Sequence, residues 1–392
     1  MLSHILCSYS LDNGLGLYPP MGWNTWCTLG KCGRDFCNET EVLSVAQELI
    51  DNGMSSLGYD YVNLDDCWAD SRDANGNILA DPDRFPSGMK SLIDKIHGMG
   101  LKFGLYTCAG TYTCSSGGRD HKIPGSYGHY EQDAKTYASW GVDFVKVDWC
   151  YTTGLDPQTQ YSQFSHALNV SGRAIFFEMC EWGVNDPWKW GAPLANQWRT
   201  TGDHHDDWNN TLGVINKQAG LSSFSGIGAW NYLDFIYTGG QGCTDDPNKH
   251  CPGQSDIEYM SEFSFWAFLN SGLIVATDIR IMTPIMKEVL YNQEIIAINK
   301  DPLRKQGDRV YLDGDKQVWS RPLADGSVAV ILFNSGESEQ SITADFSLWG
   351  WAHTKAMVRD LWLHHNIGEY SNQYTSIIPP HGVNFVKLHK LP

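Results

Sequence analysis

Short apolar runs alternate with amphipathic segments along the first three-quarters of the chain. The amphipathic segments carry apolar residues three or four positions apart and often end at a glycine, as helices do. They predict helices at 39–58, 89–99, 131–140, 159–168, 208–218, 257–269 and 284–291. The apolar runs between them predict eight strands, at 22–24, 60–64, 102–106, 142–147, 174–178, around 197–199, at 226–230 and at 273–277.

A strand followed by a helix, repeated along the chain, is typical of parallel βαβ units. Eight such units predict an α/β fold, a (β/α)8 TIM barrel, over residues 15–302. The alternative is an open doubly wound sheet, but its phosphate loop, G-x-G-x-x-G after a strand, does not occur. Short β-rich runs separated by turn signals then predict a smaller C-terminal antiparallel β-sandwich domain, residues 303–392.

Composition and charge narrow the function. Of the 392 residues, 42% are apolar and 19% charged, which excludes wholesale disorder. The net charge of −17 argues against nucleic acid or an anionic membrane as a partner and favours a neutral ligand. No apolar run approaches the roughly 20 residues that a membrane span needs.

The cysteine content points to an oxidising compartment. Eleven cysteines and three N-x-S/T sequons, at Asn38, Asn169 and Asn209, predict a secreted or lysosome-like glycoprotein. No signal peptide is evident, because residues 1–10 are too short and too polar. The odd count leaves at least one thiol free or joined between chains, and a homodimer is left open.

Acidic residues follow one predicted strand after another. In a (β/α)8 barrel the catalytic groups lie at the C-terminal ends of the strands. The carboxylates that recur at this level are Asp65, Asp66, Asp148, Glu181, Asp203 and Asp234. We therefore expect them at the barrel mouth.

Lys146 and Asp148 are two positions apart on a predicted strand, so both side chains leave the same face. A nearby cation holds a carboxylate ionised, which suits a nucleophile. The alternative is a buried structural ion pair. Asp206 and Asp207 are predicted to cap the following helix.

The sequence gives little support for a metal or another cofactor, and we expect none. His204 and His205 are the candidate ligands, but adjacent histidines on a loop diverge and no H-E-x-x-H motif accompanies them. Paired carboxylates with a lysine, an arginine and tryptophans suit glycoside hydrolysis instead. One carboxylate must be ionised to attack the anomeric carbon, and another must donate a proton to the leaving oxygen.

Several motifs in the same order resemble glycoside hydrolase family 27, the family of α-galactosidases and α-N-acetylgalactosaminidases. They cover nearly the whole chain: MGWNTW (21–26), YVNLDDCW (61–68), KVD (146–148), CEW (180–182), WR (198–199) with Asp203, WN (230–231) with Asp234, and IAINKDP (296–302). The resemblance implies a retaining α-galactosidase with Asp148 as nucleophile and Asp203 as acid/base. It also implies a galactose-containing oligosaccharide or glycoconjugate as substrate, bound by Trp26, Asp65, Asp66, Tyr106, Lys146, Glu181, Trp182, Arg199 and Asp234.

The same resemblance bears on which sugar is bound. Glu181 would fill the room that a 2-acetamido group needs and accept a free 2-hydroxyl, which favours galactose over N-acetylgalactosamine. An intact Asp65-Asp66 pair favours galactose over β-L-arabinopyranose. An α-N-acetylgalactosaminidase, a β-L-arabinopyranosidase and a carbohydrate-binding barrel without activity stay as alternatives, although such a barrel would have lost a catalytic carboxylate.

The chain departs from the family after the seventh strand. Tyr232 and Phe235 stand where the family usually has Asp and Met, and the insertion that follows resembles fungal-type members. The resemblance suggests a disulfide between Cys114 and Cys150, and proximity suggests Cys243 with Cys251. Cys67 is expected to pair with one of Cys27, Cys32 and Cys37. Cys180 lacks the family's usual partner and is expected as a free thiol at the pocket wall.

Overall fold

The structure is a computed structural model that describes residues 11–28, 32–240 and 252–392. A parallel eight-stranded sheet surrounded by helices is followed by an antiparallel domain. The predicted α/β fold, a (β/α)8 barrel with a C-terminal β-sandwich, is confirmed. None of the helices in the described ranges is both long and apolar enough to cross a bilayer.

The strands of the first domain are short, and those of the eight-stranded sheet are almost wholly buried. They are β1 (Met21–Asn24), β2 (Tyr61–Asn63), β3 (Ala69–Arg72), β4 (Ile78–Ala80), β5 (Lys102–Cys108), β6 (Phe144–Asp148), β7 (Phe176–Cys180), β8 (Gln197–Arg199), β9 (Trp230–Tyr232) and β10 (Leu273–Val275). The sheet runs in the order β10-β1-β2-β5-β6-β7-β8-β9. Its two edge strands meet through a parallel bridge between Ile236 and Val275, which closes the barrel.

Helices pack around this sheet. They are α1 (Glu39–Asp51), α2 (Met54–Leu57), α3 (Met89–Gly98), α4 (Tyr130–Trp140), α5 (Pro157–Asn169), α6 (Trp208–Lys217), α7 (Asp256–Phe268), α8 (Pro284–Leu290) and α9 (Gln293–Asn299). Side-chain caps fix several of their starts: Asp156 caps α5, Asp207 caps α6, and Ser255 with Glu258 forms a capping box on α7.

Two features of the barrel differ from the sequence prediction. The seventh barrel strand begins at Trp230, where the predicted run of 226–230 ends, because residues 226–229 form a turn closed by a bridge between Gly226 and Ala229. The hairpin of β3 and β4 was not predicted, since its first strand reads Ala-Asp-Ser-Arg and carries no apolar alternation.

The C-terminal domain consists of antiparallel strands in two layers. They are β11 (Asp308–Asp313), β12 (Lys316–Pro322), β13 (Val328–Asn334), β14 (Gln340–Asp345), β15 (Lys355–Asp360), β16 (His365–Ser371), β17 (Gln373–Ile378) and β18 (Val383–Lys390). Six of them form one sheet, in the order β11-β12-β13-β18-β15-β16, and β14 pairs with β17. The sequence indicated only β11, β12, β13 and β18.

The two domains share a hydrophobic core. Aromatic rings of α7 pack edge-to-face against the sandwich, with Phe265 5.3 Å from Trp319 and Phe268 5.9 Å from Phe385 between ring centroids. Burial of such rings is the main driving force for packing. The sandwich therefore supports the helix that follows the seventh barrel strand.

Three disulfides lie in the described part of the chain: Cys27–Cys32, Cys37–Cys67 and Cys114–Cys150. The partner of Cys67 is thus Cys37. The expected pair Cys243 and Cys251 lies outside the described residues. Cys180 is a free, buried thiol, and so is Cys108.

The three sequons differ in their surroundings. Asn169 and Asn209 are exposed, whereas Asn38 is half-buried and its side-chain oxygen caps α1 by accepting from the Glu41 amide. Glycosylation at all three stays a prediction.

Candidate active site

A cavity of about 200 Å³ opens at the C-terminal ends of the barrel strands. Ten of the eleven predicted catalytic and substrate-binding residues line it: Trp26, Asp65, Asp66, Tyr106, Lys146, Asp148, Trp182, Arg199, Asp203 and Asp234. The remaining one, Glu181, does not. Strand ends meet here because all barrel strands run in the same direction, so the polar residue after each apolar run arrives at one place.

Asp148 is the last residue of β6 and is almost completely buried. Its Oδ2 accepts a hydrogen bond of 3.0 Å from the Tyr106 hydroxyl, and its Oδ1 accepts one of 2.9 Å from the Trp149 amide. Burial raises the pKa of Asp148 to about 6, with Lys146 pulling it down and Asp203 pushing it up. The carboxyl therefore titrates close to neutrality.

Lys146 does share the inward face with Asp148, but its direct partner is Asp65. The ammonium lies 3.0 Å from Asp65 Oδ2 and between two aromatic rings, 5.3 Å from the centroid of Tyr106 and 4.9 Å from that of Phe235. Burial alone would lower the pKa of Lys146, yet Asp65 and the other carboxylates hold it well above its usual value. The residue is a fixed cation rather than an ion-pair partner of Asp148.

Asp65 and Asp66 follow β2 and point to different partners. Asp65 Oδ2 also accepts from the Asn24 side chain at 3.2 Å, which leaves it in the cavity wall. Asp66 accepts from the Ser115 amide at 2.7 Å and lies 3.6 Å from Arg34. Burial raises the pKa of Asp66 despite these donors.

Arg199, the last residue of β8, joins two carboxylates. Its buried guanidinium lies 2.9 Å from Asp234 Oδ2 and 3.1 Å from Asp203 Oδ1. The Asp203 side chain is 60% exposed, so it forms part of the cavity mouth. Partial burial would raise the pKa of Asp203, but Arg199, Lys146 and His205 together hold it below its ordinary value.

Asp234 has a left-handed backbone, with φ of 79°, which is uncommon for a residue other than glycine. Its Oδ2 accepts from Arg199 and from the His204 amide, whereas its buried Oδ1 has no hydrogen-bond partner among the described residues. Buried polar atoms are normally paired, so this oxygen is available to a ligand hydroxyl. Strain at one residue is typical of a functional site.

The prediction that Glu181 faces the sugar is wrong for this structure. Its side chain is completely buried, and its carboxylate accepts from both the backbone amide and the side-chain amide of Asn185. Glu181 thus closes its own loop. The neighbouring Trp182, with φ of 59°, is the residue of this loop that lines the cavity.

The histidines have structural partners. His204 is buried, with Nδ1 2.8 Å from the Phe235 carbonyl oxygen and Nε2 2.8 Å from Thr211 Oγ1. Burial lowers the pKa of His204 to about 3, so the ring is neutral. Asp207 caps α6 as expected, but Asp206 is not a cap and accepts from the Gly253 amide instead.

No cluster of free metal ligands exists in the described ranges. The one group of three ligand-type side chains there is Cys114, Asp148 and Cys150, and its two cysteines are joined in a disulfide. Thiolates rather than disulfide sulfurs bind metals.

A polar cluster inside the barrel, formed by Glu178, Gln197 and Tyr232, was not predicted from the sequence. Glu178 accepts from Gln197 Nε2 at 2.5 Å. In the part of the chain that the structure describes, its other oxygen has no partner, and neither has the buried hydroxyl of Tyr232. Burial raises the pKa of Glu178 to about 8. Its position opposite Lys146 in the register of β6 and β7 follows from the period-2 alternation that located Lys146, so the signal was present in the sequence.

The charges of the cavity limit what it can bind. Two cations and five carboxylates line it, and the cations are already engaged by carboxylates. Such a wall repels anions and offers many acceptors to hydroxyl groups. The site therefore suits a neutral polyhydroxylated ring. Asp148 and Asp203 are the two carboxyl groups that could act as nucleophile and acid/base.

Comparison with known proteins agrees with this chemistry. Residues 18–301 match the family described as alpha galactosidase A, and residues 313–388 match the alpha galactosidase C-terminal beta sandwich domain. An alpha-galactosidase of Cyamopsis tetragonoloba is 42% identical over 95% of this chain and 86% of its own length.

Solved structures are also similar. Alpha-galactosidase I from Mortierella vinacea superposes with a TM-score of 0.87 at 34% identity, covering 96% of this chain and 98% of that one. A GH27 β-L-arabinopyranosidase from Geobacillus stearothermophilus has a TM-score of 0.87 at 22% identity, covering 98% of this chain and 100% of that one. The second likeness shows the shared fold alone.

Proposed function

This chain belongs to glycoside hydrolase family 27, the family of the α-galactosidases, and on that premise we propose that it is a retaining α-galactosidase. It hydrolyses terminal α-linked galactose from oligosaccharides or glycoconjugates. The observation that carries the proposal is the convergence of Asp148 and Asp203 on one cavity whose wall is rich in hydroxyl acceptors.

In the first step Asp203 donates its proton to the glycosidic oxygen while Asp148 attacks the anomeric carbon. The bond to the leaving group breaks, an ester between galactose and Asp148 forms, and the alcohol departs. Tyr106 holds Asp148 in place by donating to the Oδ2 atom at 3.0 Å.

In the second step Asp203, now ionised, accepts a proton from a water molecule. That water attacks the anomeric carbon, the ester bond breaks, and Asp148 leaves as a carboxylate. Two inversions give net retention. Asp203 is suited to this exchange because its side chain is the more exposed of the two and can meet water at the mouth.

The remaining polar residues hold the sugar. Asp65 and Lys146 form one ion pair that offers both an acceptor and a donor, and Arg199 with Asp234 forms a second on the other side. The unpartnered Oδ1 of Asp234 is the acceptor best placed for a ring hydroxyl. Trp26 and Trp182 supply aromatic wall.

Galactose is the sugar that we propose, over N-acetylgalactosamine and β-L-arabinopyranose. The support comes from the Cyamopsis relative and from the complete set of residues around Asp65 and Asp66, and no longer from Glu181, which faces Asn185. A barrel that only binds sugar is disfavoured because both carboxyl groups are in place. We also propose action in an oxidising compartment, either outside the cell or lysosome-like, which the three disulfides support.

The first prediction tests the nucleophile. We expect Asp148→Asn to lower kcat on p-nitrophenyl α-galactoside at least about 1,000-fold, because an amide cannot form the ester intermediate. Binding of galactose, measured by calorimetry, should persist. Asp94→Asn, an exposed carboxylate on α3, is the matched control and should keep full activity.

The stereochemistry is tested on the wild-type protein. Proton NMR of the first product should show α-galactose before it mutarotates. A β-anomer as the first product, or full activity of Asp148→Asn, would end the proposal. Faster cleavage of the matching N-acetylgalactosaminide or β-arabinopyranoside would overturn the choice of sugar alone.

A further inference from the structure

The cavity has room for one sugar. Its volume of about 200 Å³ is below the roughly 300–1,000 Å³ of pockets that hold drug-sized ligands. The group attached to galactose must therefore lie outside, beyond the exposed Asp203. Any further recognition of the substrate has to come from the rim.

Two exposed tyrosines lie on the loops that follow β5 and β6. Tyr112 follows β5 and Tyr151 follows β6, and each is 40% exposed. Their rings meet edge-to-face, with centroids 5.5 Å apart and planes at 87°. Each ring thus supports the other while part of its surface stays open to solvent.

These tyrosines are close in sequence to two residues of the cavity wall. The disulfide Cys114–Cys150 lines the cavity, and Tyr151 is the residue next to Cys150. Tyr112 lies two residues before Cys114. The rings therefore belong to two loops that a covalent bond holds together at the cavity wall.

The loops are also held by their backbones. The Thr111 amide donates to the Tyr151 carbonyl oxygen at 3.3 Å, and a side chain at Gly110 would collide with the carbonyl groups of Cys150 and Tyr151. Tyr151 has φ of 53°, a left-handed conformation that is uncommon for a residue other than glycine and is often found in ligand-binding segments. The rings are thus presented on a rigid, strained support.

We propose that Tyr112 and Tyr151 form a second sugar subsite, which binds the sugar unit next to galactose. The inference rests on the proposed function. A rigid aromatic pair offers apolar contact area at low entropic cost, and the C–H face of a neutral pyranose is the complementary surface. The strongly negative protein makes a neutral sugar a better occupant than an anionic group.

The test compares two substrates that differ only beyond galactose. Melibiose carries a second sugar, whereas methyl α-galactoside carries a methyl group. We expect Tyr151→Ala and Tyr112→Ala to lower kcat/KM for melibiose about 3- to 10-fold and to leave that for methyl α-galactoside unchanged. Because the rings support each other, the double variant should lose less than the product of the two single losses.

Tyr311→Ala is the matched control, since Tyr311 is an equally exposed tyrosine in the sandwich domain. The Tyr311→Ala variant should leave kcat/KM unchanged for both substrates, and Tyr151→Phe should behave as wild type. Equal losses on both substrates would show a general effect on the loops and overturn the subsite, as would no loss on melibiose. If wild-type protein cleaves neither substrate, the proposed function itself fails, which is a distinguishable result.

Discussion

At the scale of single residues, the two proposed catalytic carboxyl groups titrate in an unexpected order. Burial raises the pKa of Asp148 to about 6, whereas Arg199 and Lys146 outweigh partial burial and keep the pKa of Asp203 low. In the free protein the shared proton thus resides mostly on Asp148. Catalysis needs the proton on Asp203, so the productive arrangement is the less favoured one in the free protein.

This order predicts the pH dependence of catalysis. The pair must hold one proton, and in the free protein it loses the last one at about pH 6. We expect kcat/KM to fall about tenfold for each pH unit above that point. Initial rates on an α-galactoside at low substrate concentration, between pH 3 and pH 9, measure it.

The control for this pH profile checks that the protein stays folded at each pH. Rates must be recovered when the protein is returned from each pH to pH 5, which separates titration from unfolding. A kcat/KM that stays constant up to pH 8 would contradict the electrostatics derived for Asp148.

Sequence reasoning located the residues of the site better than their contacts. It placed Lys146, Asp148, Arg199 and Asp203 at one mouth, because strand alternation fixes which face a side chain leaves. It did not foresee Asp65 as the contact of Lys146, and it turned Glu181 toward the sugar. Those choices depend on side-chain torsions and on neighbours distant in sequence, which no local pattern contains.

At the scale of elements, the loops after β5 and β6 carry much of the site. The disulfide Cys114–Cys150 joins them across a sequence separation of 36 residues and lines the cavity. It holds the loop that begins directly after Asp148. Its covalent closure also restricts the unfolded chain.

The double substitution of Cys114 and Cys150 by serine tests this element. We expect the free energy of unfolding to fall by about 2–4 kcal/mol, with a higher KM because the cavity wall is loosened. Thermal unfolding and substrate kinetics measure the two effects. Reduced wild-type protein is the comparison, and unchanged values for both quantities would show that the crosslink is dispensable.

Long periodic elements were predictable and short polar ones were not. α7 and β6 stand out by their apolar content, whereas β3 is polar and edge-like and β9 begins four residues later than its apparent signal. In the sandwich, β14, β15 and β17 alternate between buried and more exposed residues but are interrupted by polar ones, and β16 has no buried residue. Tertiary pairing, rather than local propensity, determines such strands.

At the scale of the whole molecule, buried carboxyl groups link stability to pH. Burial raises the pKa of Glu178 to about 8 and that of Glu262 to about 8, both well above 4.5. Each group stabilises the fold fully below about pH 4.5, and that stabilisation is lost as the pH rises through the folded value. His204, which is neutral in the folded protein, makes stability fall as the pH drops below its unfolded pKa. This effect opposes that of the two glutamates, but it comes from one group against two.

We therefore expect the protein to melt at a higher temperature at pH 5 than at pH 8, by a few degrees. Carboxyl groups with a lowered pKa, such as Glu39 and Glu294, stay ionised across this window and do not contribute to the difference. Glu262→Gln should reduce the difference, because its side chain no longer titrates. A melting temperature that rises from pH 5 to pH 8 would contradict the assignment.

The barrel seam has a mechanical consequence. Among the described residues β9 and β10 are joined by the bridge at Ile236 and Val275 with its two backbone hydrogen bonds, whereas β5 and β6 pair over five residues. The cylinder is therefore held by fewer backbone hydrogen bonds at this seam than between β5 and β6. Asp234 and Phe235 lie immediately before this seam, whereas Asp148 ends a strand that is paired over five residues on each side, so we expect the wall at Asp234 to adjust to a ligand more readily than the wall at Asp148.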